Sequence, residues 1–274
     1  MPKEKVHIIT VATKSQAYFP ALKTQASRLG LSLTVLGWQK EWKGFAWRWN
    51  LLEQHLRGLD PDDIAVFVDA YDVLPVKPVE IILKRFHAFK SPLVLSVESE
   101  PSTPVHRVVY RRLNQSCKQT FVNGGLYMGR VWALLQMIDF LRTTYSFENS
   151  TDDQVLLSQM CNSSFFEKYC ALDVQSKIFC NLWGSRQHDL QVPVAEYNKF
   201  NARDTCFIHC PANSDMSQIL RYYGVDPSCC TRRGMGMVFQ SAMKSYAHFF
   251  YKEIVSVCIL CLLCCWCVKK KYIK

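Results

Sequence analysis

The stretch that decides the fold is VFVDAYDVL, residues 66–74, in which an apolar run ends in two aspartates. Five consecutive apolar residues, 64–68, precede Asp69, and strands that are buried on both faces of a sheet have this composition. Asp69 and Asp72 lie three positions apart, with Tyr71 between them. Two carboxylates held close together cost free energy unless a positive charge lies between them, so this strand end is a candidate functional position.

Strands and helices alternate on both sides of this stretch. Alternation of this kind predicts a parallel sheet joined by right-handed crossovers, with helices on its faces. We therefore predict the α/β class, with a Rossmann-like, mostly parallel sheet flanked by helices. The apolar patterns place the predicted strands at 6–12, 33–36, 64–69 and 93–97, and the predicted helices at 19–29, 45–56 and 79–89.

The polar residues of this predicted sheet cluster at the carboxyl ends of its strands, where such sheets bind ligands. They are Thr13, Lys14, Asp69, Asp72 and Glu98. A carboxylate pair in this position suits Mg²⁺ or Mn²⁺, and an imidazole ligand shifts the preference toward Mn²⁺. The DxxD spacing alone equally fits a solvated turn, with Asp72 capping the next segment.

A second pair of carboxylates occurs in STDDQVLLSQM, residues 150–160. The pattern predicts a helix with Ser150 or Thr151 as its N-cap and with Asp152 and Asp153 in its first turn. Either aspartate fits a general base, and either also fits a residue that only complements the helix dipole.

Two other segments carry candidate site residues. FVNGGLYMG, residues 121–129, is rich in glycine, and a predicted helix at 131–141 follows it. A late apolar strand is predicted at 205–209 and ends in His209. This histidine fits a metal ligand, and it also fits a buried histidine of the core.

Composition limits the classes of function. The chain has 274 residues, of which 49% are hydrophobic, enough for one large core. The net charge is +10, but the basic residues are scattered, and no basic helix face with interleaved aromatics is visible. Nucleic-acid binding is therefore not expected. We predict one domain at 1–240 and a connector at 241–253.

The C-terminal region differs sharply in composition. IVSVCILCLLCCWCV, residues 254–268, contains no charged residue and is followed by a basic tail at 269–274. It is shorter than the roughly 20 apolar residues of a typical spanning helix, but it lacks the polar face of a core helix. We predict a transmembrane or membrane-anchor segment, at an endomembrane of the ER or Golgi type.

The side of the membrane on which the domain lies stays open. The N-terminus runs directly into a predicted strand and does not have the pattern of a signal peptide. Three N-x-S/T sequons, at Asn114, Asn149 and Asn162, favour a lumenal domain, although sequons also arise by chance. The eight cysteines outside 254–268 form no CxxC pair, so a structural zinc site is not expected.

The order of motifs carries a family resemblance. Over residues 6–224 the chain resembles the glycosyltransferase domain of the procollagen lysyl hydroxylase/glucosyltransferase family and, more distantly, the procollagen galactosyltransferases. The hydroxylase domain of that family is absent from this sequence. The motifs in order are HIITVATK (7–14), LGWQKEWKGF (36–45), VFVDAYDVL (66–74), FVNGGLYMG (121–129), DDQ (152–154), LDVQSKIFCNL (172–182) and FIHCPANSD (207–215).

The resemblance implies a GT-A fold that uses a UDP-sugar and Mn²⁺. By motif match, Asp69 and Asp72 would hold the metal and the nucleotide, and His209 would be the third metal ligand. Tyr71 would stack on the uracil or the ribose.

The resemblance also implies roles for the remaining motif residues. Thr13 and Lys14 would line the uridine pocket. Asp152 and Asp153 would face the donor sugar and the acceptor. The residues that would shape the sugar and acceptor side are Asn123, Gly124 and Gly125.

Two departures from the family pattern bear on activity. Arg48 stands where the family usually has a lysine after the tryptophan, and we expect it to serve the donor site in that position. The family's HGNGPxK becomes HCPANSD at 209–215, which lacks the lysine that would meet the diphosphate.

The predicted function is Mn²⁺-dependent transfer of a hexose, glucose or galactose, from a UDP-sugar to a hydroxyl acceptor. By analogy, that acceptor is of the hydroxylysine type in a collagen-like protein. The alternative is a catalytically inactive GT-A-fold protein that binds its ligand at a membrane.

Overall fold

A computed structural model of the chain describes residues 4–98, 111, 117–118, 120–148, 151–182, 204–211 and 215–230. These residues belong to one compact unit. Within them, every helix is too short or too polar to cross a membrane. The predicted connector, anchor and basic tail, 241–274, lie outside the described residues and stay predictions.

The centre of the fold is a six-stranded sheet with the order β2-β1-β3-β6-β5-β7. Five of its strands run in one direction, and β6 runs antiparallel to both of its neighbours. The strands are β1 (Val6–Val11), β2 (Leu33–Leu36), β3 (Ile64–Val68), β5 (Leu93–Glu98), β6 (Phe121–Arg130) and β7 (Cys170–Leu172).

A second sheet has three strands in the order β4-β9-β8. Its strands are β4 (Val73–Pro75), β8 (Phe179–Asn181) and β9 (Phe207–His209). β9 pairs antiparallel with β4 and parallel with β8, and Val73 lies opposite His209. The chain passes from β3 to β4 through only four residues, 69–72, so these residues join the two sheets.

Helices cover both faces of the main sheet and explain its continuous apolar strands. On one face, Ile9, Phe67 and Tyr127 pack against α2, α4, α5 and α6. On the other face, Val66 and Met128 pack against α1 and α3. The helices are α1 (Phe19–Arg28), α2 (Phe45–Leu56), α3 (Val79–Ala88), α4 (Val131–Thr144), α5 (Asp153–Met160), α6 (Ser164–Tyr169) and α7 (Ser217–Tyr222).

The prediction of a mostly parallel α/β sheet is confirmed, and one strand departs from it. The glycine-rich segment at 121–129 forms most of the antiparallel strand β6. Its glycines fit a strand because neighbouring groups approach the backbone closely. A Cβ built on Gly129 would lie 2.6 Å from the carbonyl oxygen of Pro92.

Helix α5 begins one or two residues later than the sequence predicted. Its N-cap is Asp152 rather than Ser150 or Thr151, and the Asp152 carboxylate accepts a hydrogen bond of 2.9 Å from the Gln154 N–H. Aspartate is as strong an N-cap as serine or threonine, so composition alone did not separate these positions.

A disulfide that the sequence did not predict joins the segment before β6 to the end of α5. It links Cys117 to Cys161, which are separated by 44 positions, with their Cα atoms 5.4 Å apart. Both cysteines are buried. The bond therefore holds α5 against the start of β6.

Candidate functional site

Three predicted site residues meet where the two sheets join. Asp69 follows β3, Asp72 precedes β4, and His209 ends β9. Nε2 of His209 lies 3.3 Å from Oδ1 of Asp72 and 3.9 Å from Oδ2 of Asp69. One ligand atom from each residue lies within 4.8 Å of the other two, so the three side chains could share one cation.

Asn181, at the end of β8, fixes the orientation of the His209 ring. Its Nδ2 donates to the Val97 carbonyl at 2.8 Å, and its Oδ1 lies 2.6 Å from Nδ1 of His209. Nδ1 therefore donates to Asn181. Nε2 is buried, has no hydrogen-bond partner among the residues that the structure describes, and faces the two carboxylates, as in a histidine oriented for a metal.

Electrostatics at His209 favour a positive charge in this position. Burial lowers the pKa of His209, but the carboxylates of Asp72, Asp69 and Glu98 together outweigh burial and raise it. A divalent cation would supply the same positive charge and would take the Nε2 lone pair. Two carboxylates and one imidazole are a donor set that fits such a cation.

Arg48, on the buried face of α2, lies between two carboxylates. One of its terminal nitrogens is 2.8 Å from Oδ1 of Asp69, and the other is ion-paired with Asp153. Its guanidinium also lies 4.9 Å from the ring centroid of Phe67 and 5.2 Å from that of Phe45. Arg48 therefore links Asp69, at the end of β3, to Asp153, at the start of α5.

The two aspartates of DDQ differ in their surroundings. Asp153 is 4% exposed and is held by Arg48. Asp152 is more exposed and caps α5. Burial raises the pKa of Asp152, and the Gln154 N–H and Arg48 only partly offset this rise.

The glycines of β6 leave room for the neighbouring site residues. A Cβ built on Gly125 would lie 2.5 Å from Oδ2 of Asp69 and 2.6 Å from Cε1 of His209. A Cβ on Gly124 would lie 3.0 Å from Oδ1 of Asp153. The absence of side chains at these two positions therefore lets β6 approach Asp69, His209 and Asp153 closely.

Glu98, at the end of β5, connects Asn123 with Gln154. Its two carboxylate oxygens accept from Nδ2 of Asn123 and from Nε2 of Gln154, each at 2.7 Å. The amide oxygens of Asn123 and Gln154 in turn accept from the N–H groups of Gly125 and Gly124. This network holds the β6 backbone beside α5.

Tyr71 is bonded to the predicted uridine-pocket residues. Its hydroxyl accepts from the Thr13 N–H at 3.0 Å and donates to the Lys14 carbonyl at 3.3 Å. The Tyr71 ring also meets the Phe19 ring edge to face, with centroids 6.4 Å apart. Tyr71 thereby ties the loop after β1 to the loop that carries Asp69 and Asp72.

Sequence reasoning did not assign roles to Asn181 or Gln154. Both lie inside quoted motifs, in LDVQSKIFCNL and DDQ. Asn181 carries a usable signal, because it is a polar residue at the end of a short apolar strand, as His209 is. The spacing gives no hint that Asn181 and His209 are neighbours, since they come from different segments.

Comparison with known proteins identifies the family. The sequence profile described as the PLOD GT domain matches residues 2–223. The chain belongs to the PLOD GT domain family. The match covers most of the chain and confirms the resemblance seen in the order of motifs.

Relatives of this PLOD GT domain chain are longer proteins. Procollagen-lysine,2-oxoglutarate 5-dioxygenase of Drosophila melanogaster is 24% identical, covering 94% of this chain and 34% of the relative. The human multifunctional procollagen lysine hydroxylase and glycosyltransferase LH3 is 27% identical, covering 66% of this chain and 26% of the relative. The chain thus spans about a third and about a quarter of their lengths.

A solved structure has a similar fold. It is the crystal structure of a glycosyltransferase involved in the glycosylation of the major capsid of PBCV-1. Its TM-score is 0.50 at 12% identity, and the alignment covers 80% of the PLOD GT domain chain and 98% of the other. At this identity the likeness concerns the fold alone, and it agrees with the α/β glycosyltransferase architecture.

Proposed function

We propose that this glycosyltransferase domain transfers a hexose, glucose or galactose, from a UDP-sugar to a hydroxyl group in an Mn²⁺-dependent reaction. The observation that carries the proposal is the meeting of Asp69, Asp72 and the buried Nε2 of His209 at the strand ends. In sheets of this type, ligands bind at the carboxyl ends of the strands.

Asp69, Asp72 and His209 would hold the metal. When bound, Mn²⁺ supplies positive charge that neutralises the diphosphate leaving group. Asn181 keeps His209 in the tautomer that presents Nε2. Tyr71, with Thr13 and Lys14, would bind the uridine, because these residues form one bonded group beside the carboxylates.

The acceptor side would be formed by Asn123, Gly124 and Gly125 of β6 and by the start of α5. Asp153 is held by Arg48, so we assign it to orienting the acceptor hydroxyl. Asp152 has a raised pKa, and a raised pKa makes a carboxylate a stronger base. We assign Asp152 to accepting the proton of that hydroxyl.

The proposed acceptor is a hydroxylysine-type residue in a collagen-like protein. The choice of this acceptor rests on the relatives, whose names refer to procollagen lysine. Binding of the domain to a membrane through 254–268 stays a separate prediction.

The test is release of UDP by the full chain from UDP-glucose and from UDP-galactose, with and without Mn²⁺. Asp72→Ala removes one proposed ligand. Asp62→Ala is the matched control, because Asp62 is exposed and precedes β3 at the opposite end of that strand. We expect metal-dependent release that Asp72→Ala abolishes and Asp62→Ala leaves unchanged.

Two other outcomes would contradict transfer. Mn²⁺-dependent binding of UDP without turnover of either donor would identify a binding protein. The altered sequence at 210–215 would then explain the loss of turnover. No binding of UDP or Mn²⁺ would leave 66–74 as a strand and a turn without a site.

A further inference from the structure

We propose that Asn162 is an N-glycosylation site. The inference is independent of the proposed reaction, because none of the residues that carry it belongs to the candidate site. It concerns the turn between α5 and α6, formed by residues 161–163.

The turn presents a complete sequon. Asn162, Ser163 and Ser164 form the N-x-S pattern, and both Asn162 and Ser164 are exposed. The middle residue has a structural role, since Oγ of Ser163 accepts from the Phe166 N–H at 3.2 Å and donates to the Met160 carbonyl at 2.6 Å. The two residues that define the sequon therefore face solvent, while the middle residue fixes the turn.

The disulfide is a second and independent observation. Cys161, next to Asn162 in sequence, is bonded to Cys117. Disulfides persist in oxidising compartments such as the ER lumen and are rare in the cytosol. N-glycosylation takes place in the same lumen, so the disulfide and the exposed sequon indicate the same compartment.

The position of the turn is compatible with an attached oligosaccharide. Asp153 begins α5, and Cys161 immediately follows its last residue. A helix of this length measures roughly 12 Å at 1.5 Å per residue. The turn therefore lies one helix length away from Asp152 and Asp153, at the opposite end of α5.

The chemistry requires two co-reactants, each of a known class. Nδ2 of Asn162 would form a bond to the anomeric carbon of an oligosaccharide carried on a lipid diphosphate. The bond between that carbon and the diphosphate oxygen breaks, and the lipid diphosphate leaves with the electron pair as Nδ2 loses one proton to a base. The two thiols of Cys117 and Cys161 would pass two electrons and two protons to the disulfide of an exchange partner.

The experiment is site-specific mass spectrometry of the full chain produced in cultured eukaryotic cells. The peptide that contains Asn162 is examined before and after enzymatic removal of N-glycans in heavy-oxygen water. The peptides that contain Cys117 and Cys161 are alkylated with and without prior reduction. Because the readout is specific to each peptide, the sequons at Asn114 and Asn149 do not interfere.

We expect heavy-oxygen incorporation at Asn162, and alkylation of Cys117 and Cys161 only after reduction. Asn162→Gln and Ser164→Ala should each abolish the modification, whereas Ser164→Thr retains the sequon and should keep it. UDP release, where present, should be unchanged in Ser164→Ala. An unmodified Asn162 in the wild-type chain would overturn the proposal, as would alkylation of both cysteines without reduction.

Discussion

Asp69 and Asp72 are each compensated by a different partner. Asp69 pairs with the guanidinium of Arg48, and Asp72 faces the imidazole of His209. The cost of two neighbouring carboxylates is therefore offset before any cation binds. Because His209 lies between both carboxylates, loss of its proton leaves a position that a cation can take.

Replacing Arg48 should destabilise the protein, because Arg48 neutralises the buried carboxylate of Asp153. Arg48→Met leaves Asp153 buried without its partner, and breaking a buried ion pair in this way costs about 3 kcal/mol or more. Arg48→Lys should lose less stability, because the lysine ammonium keeps the positive charge, although it cannot span both carboxylates. Urea denaturation measures the free energy of unfolding of both variants and of the wild type.

Asp153→Asn in the Arg48→Met background is the matched control. Removing the unpaired charge should restore at least about 1 kcal/mol of the lost stability. If the double variant is no more stable than Arg48→Met, the loss comes from packing against Phe45 and Phe67 rather than from charge.

Strand β6 marks the limit of what the sequence could predict about the elements. The bounds of β2 and α2 match the prediction at both ends, because their apolar patterns and flanking glycines are clear. β6 was not predicted as a strand, since glycine is depleted in strands and its residues suggest a loop. Gly124 and Gly125 are explained by contacts with Asp69, His209 and Asp153, which come from distant segments.

Gly125→Ala should damage the candidate metal site through contact with two of its residues. The added Cβ would fall 2.5 Å from Asp69 and 2.6 Å from His209, so both must move. We expect a loss of about 1–3 kcal/mol in stability and at least tenfold weaker binding of Mn²⁺, measured by titration calorimetry.

Gly58→Ala tests whether the losses expected for Gly125→Ala are specific to the candidate metal site. A Cβ at Gly58 would lie 3.5 Å from the His55 carbonyl oxygen, an ordinary contact distance. This variant should change the stability by less than about 1 kcal/mol and leave Mn²⁺ affinity unchanged. Normal Mn²⁺ binding by Gly125→Ala would contradict the proposed ligand set.

The contact between α2 and α4 should make stability depend on pH. Glu53 of α2 is ion-paired with Arg142 of α4. The Arg142 hydrogen bond lowers the pKa of Glu53 below 4.5, and burial only partly opposes it. The stabilisation is therefore present above about pH 4.5 and is lost as the pH falls through the lowered pKa.

Glu53→Gln keeps the shape of the side chain and removes its charge. The difference in unfolding free energy between the wild type and this variant should be about 1 kcal/mol near neutral pH. It should shrink toward zero as the pH falls below the pKa of Glu53 in the folded protein. A difference that stays constant with pH would show that the ion pair contributes nothing.

At the scale of the whole molecule, the sequence predicted the α/β class and the family but not the second sheet. Its strand β9 was predicted at 205–209 and is observed at Phe207–His209. β4 and β8 were not predicted, because three residues are too few to show a period. The meeting of Asp69 with Asp72 followed from their spacing, whereas the contact of His209 with Asn181 depends on long-range pairing of β9. The disulfide was not predictable either, because cysteine spacing alone does not define connectivity.

The position of β9 has a consequence for biosynthesis. It is the last of the three strands to leave the ribosome, yet it pairs between β4 and β8, which do not pair with each other in the described sheet. Until residues 207–209 emerge, a nascent chain carries Asp69 and Asp72 without the His209 imidazole. It also carries two unpaired strand edges, which favour aggregation. The three proposed ligands are therefore complete only after translation has passed His209. Products that terminate earlier should be substrates for quality control.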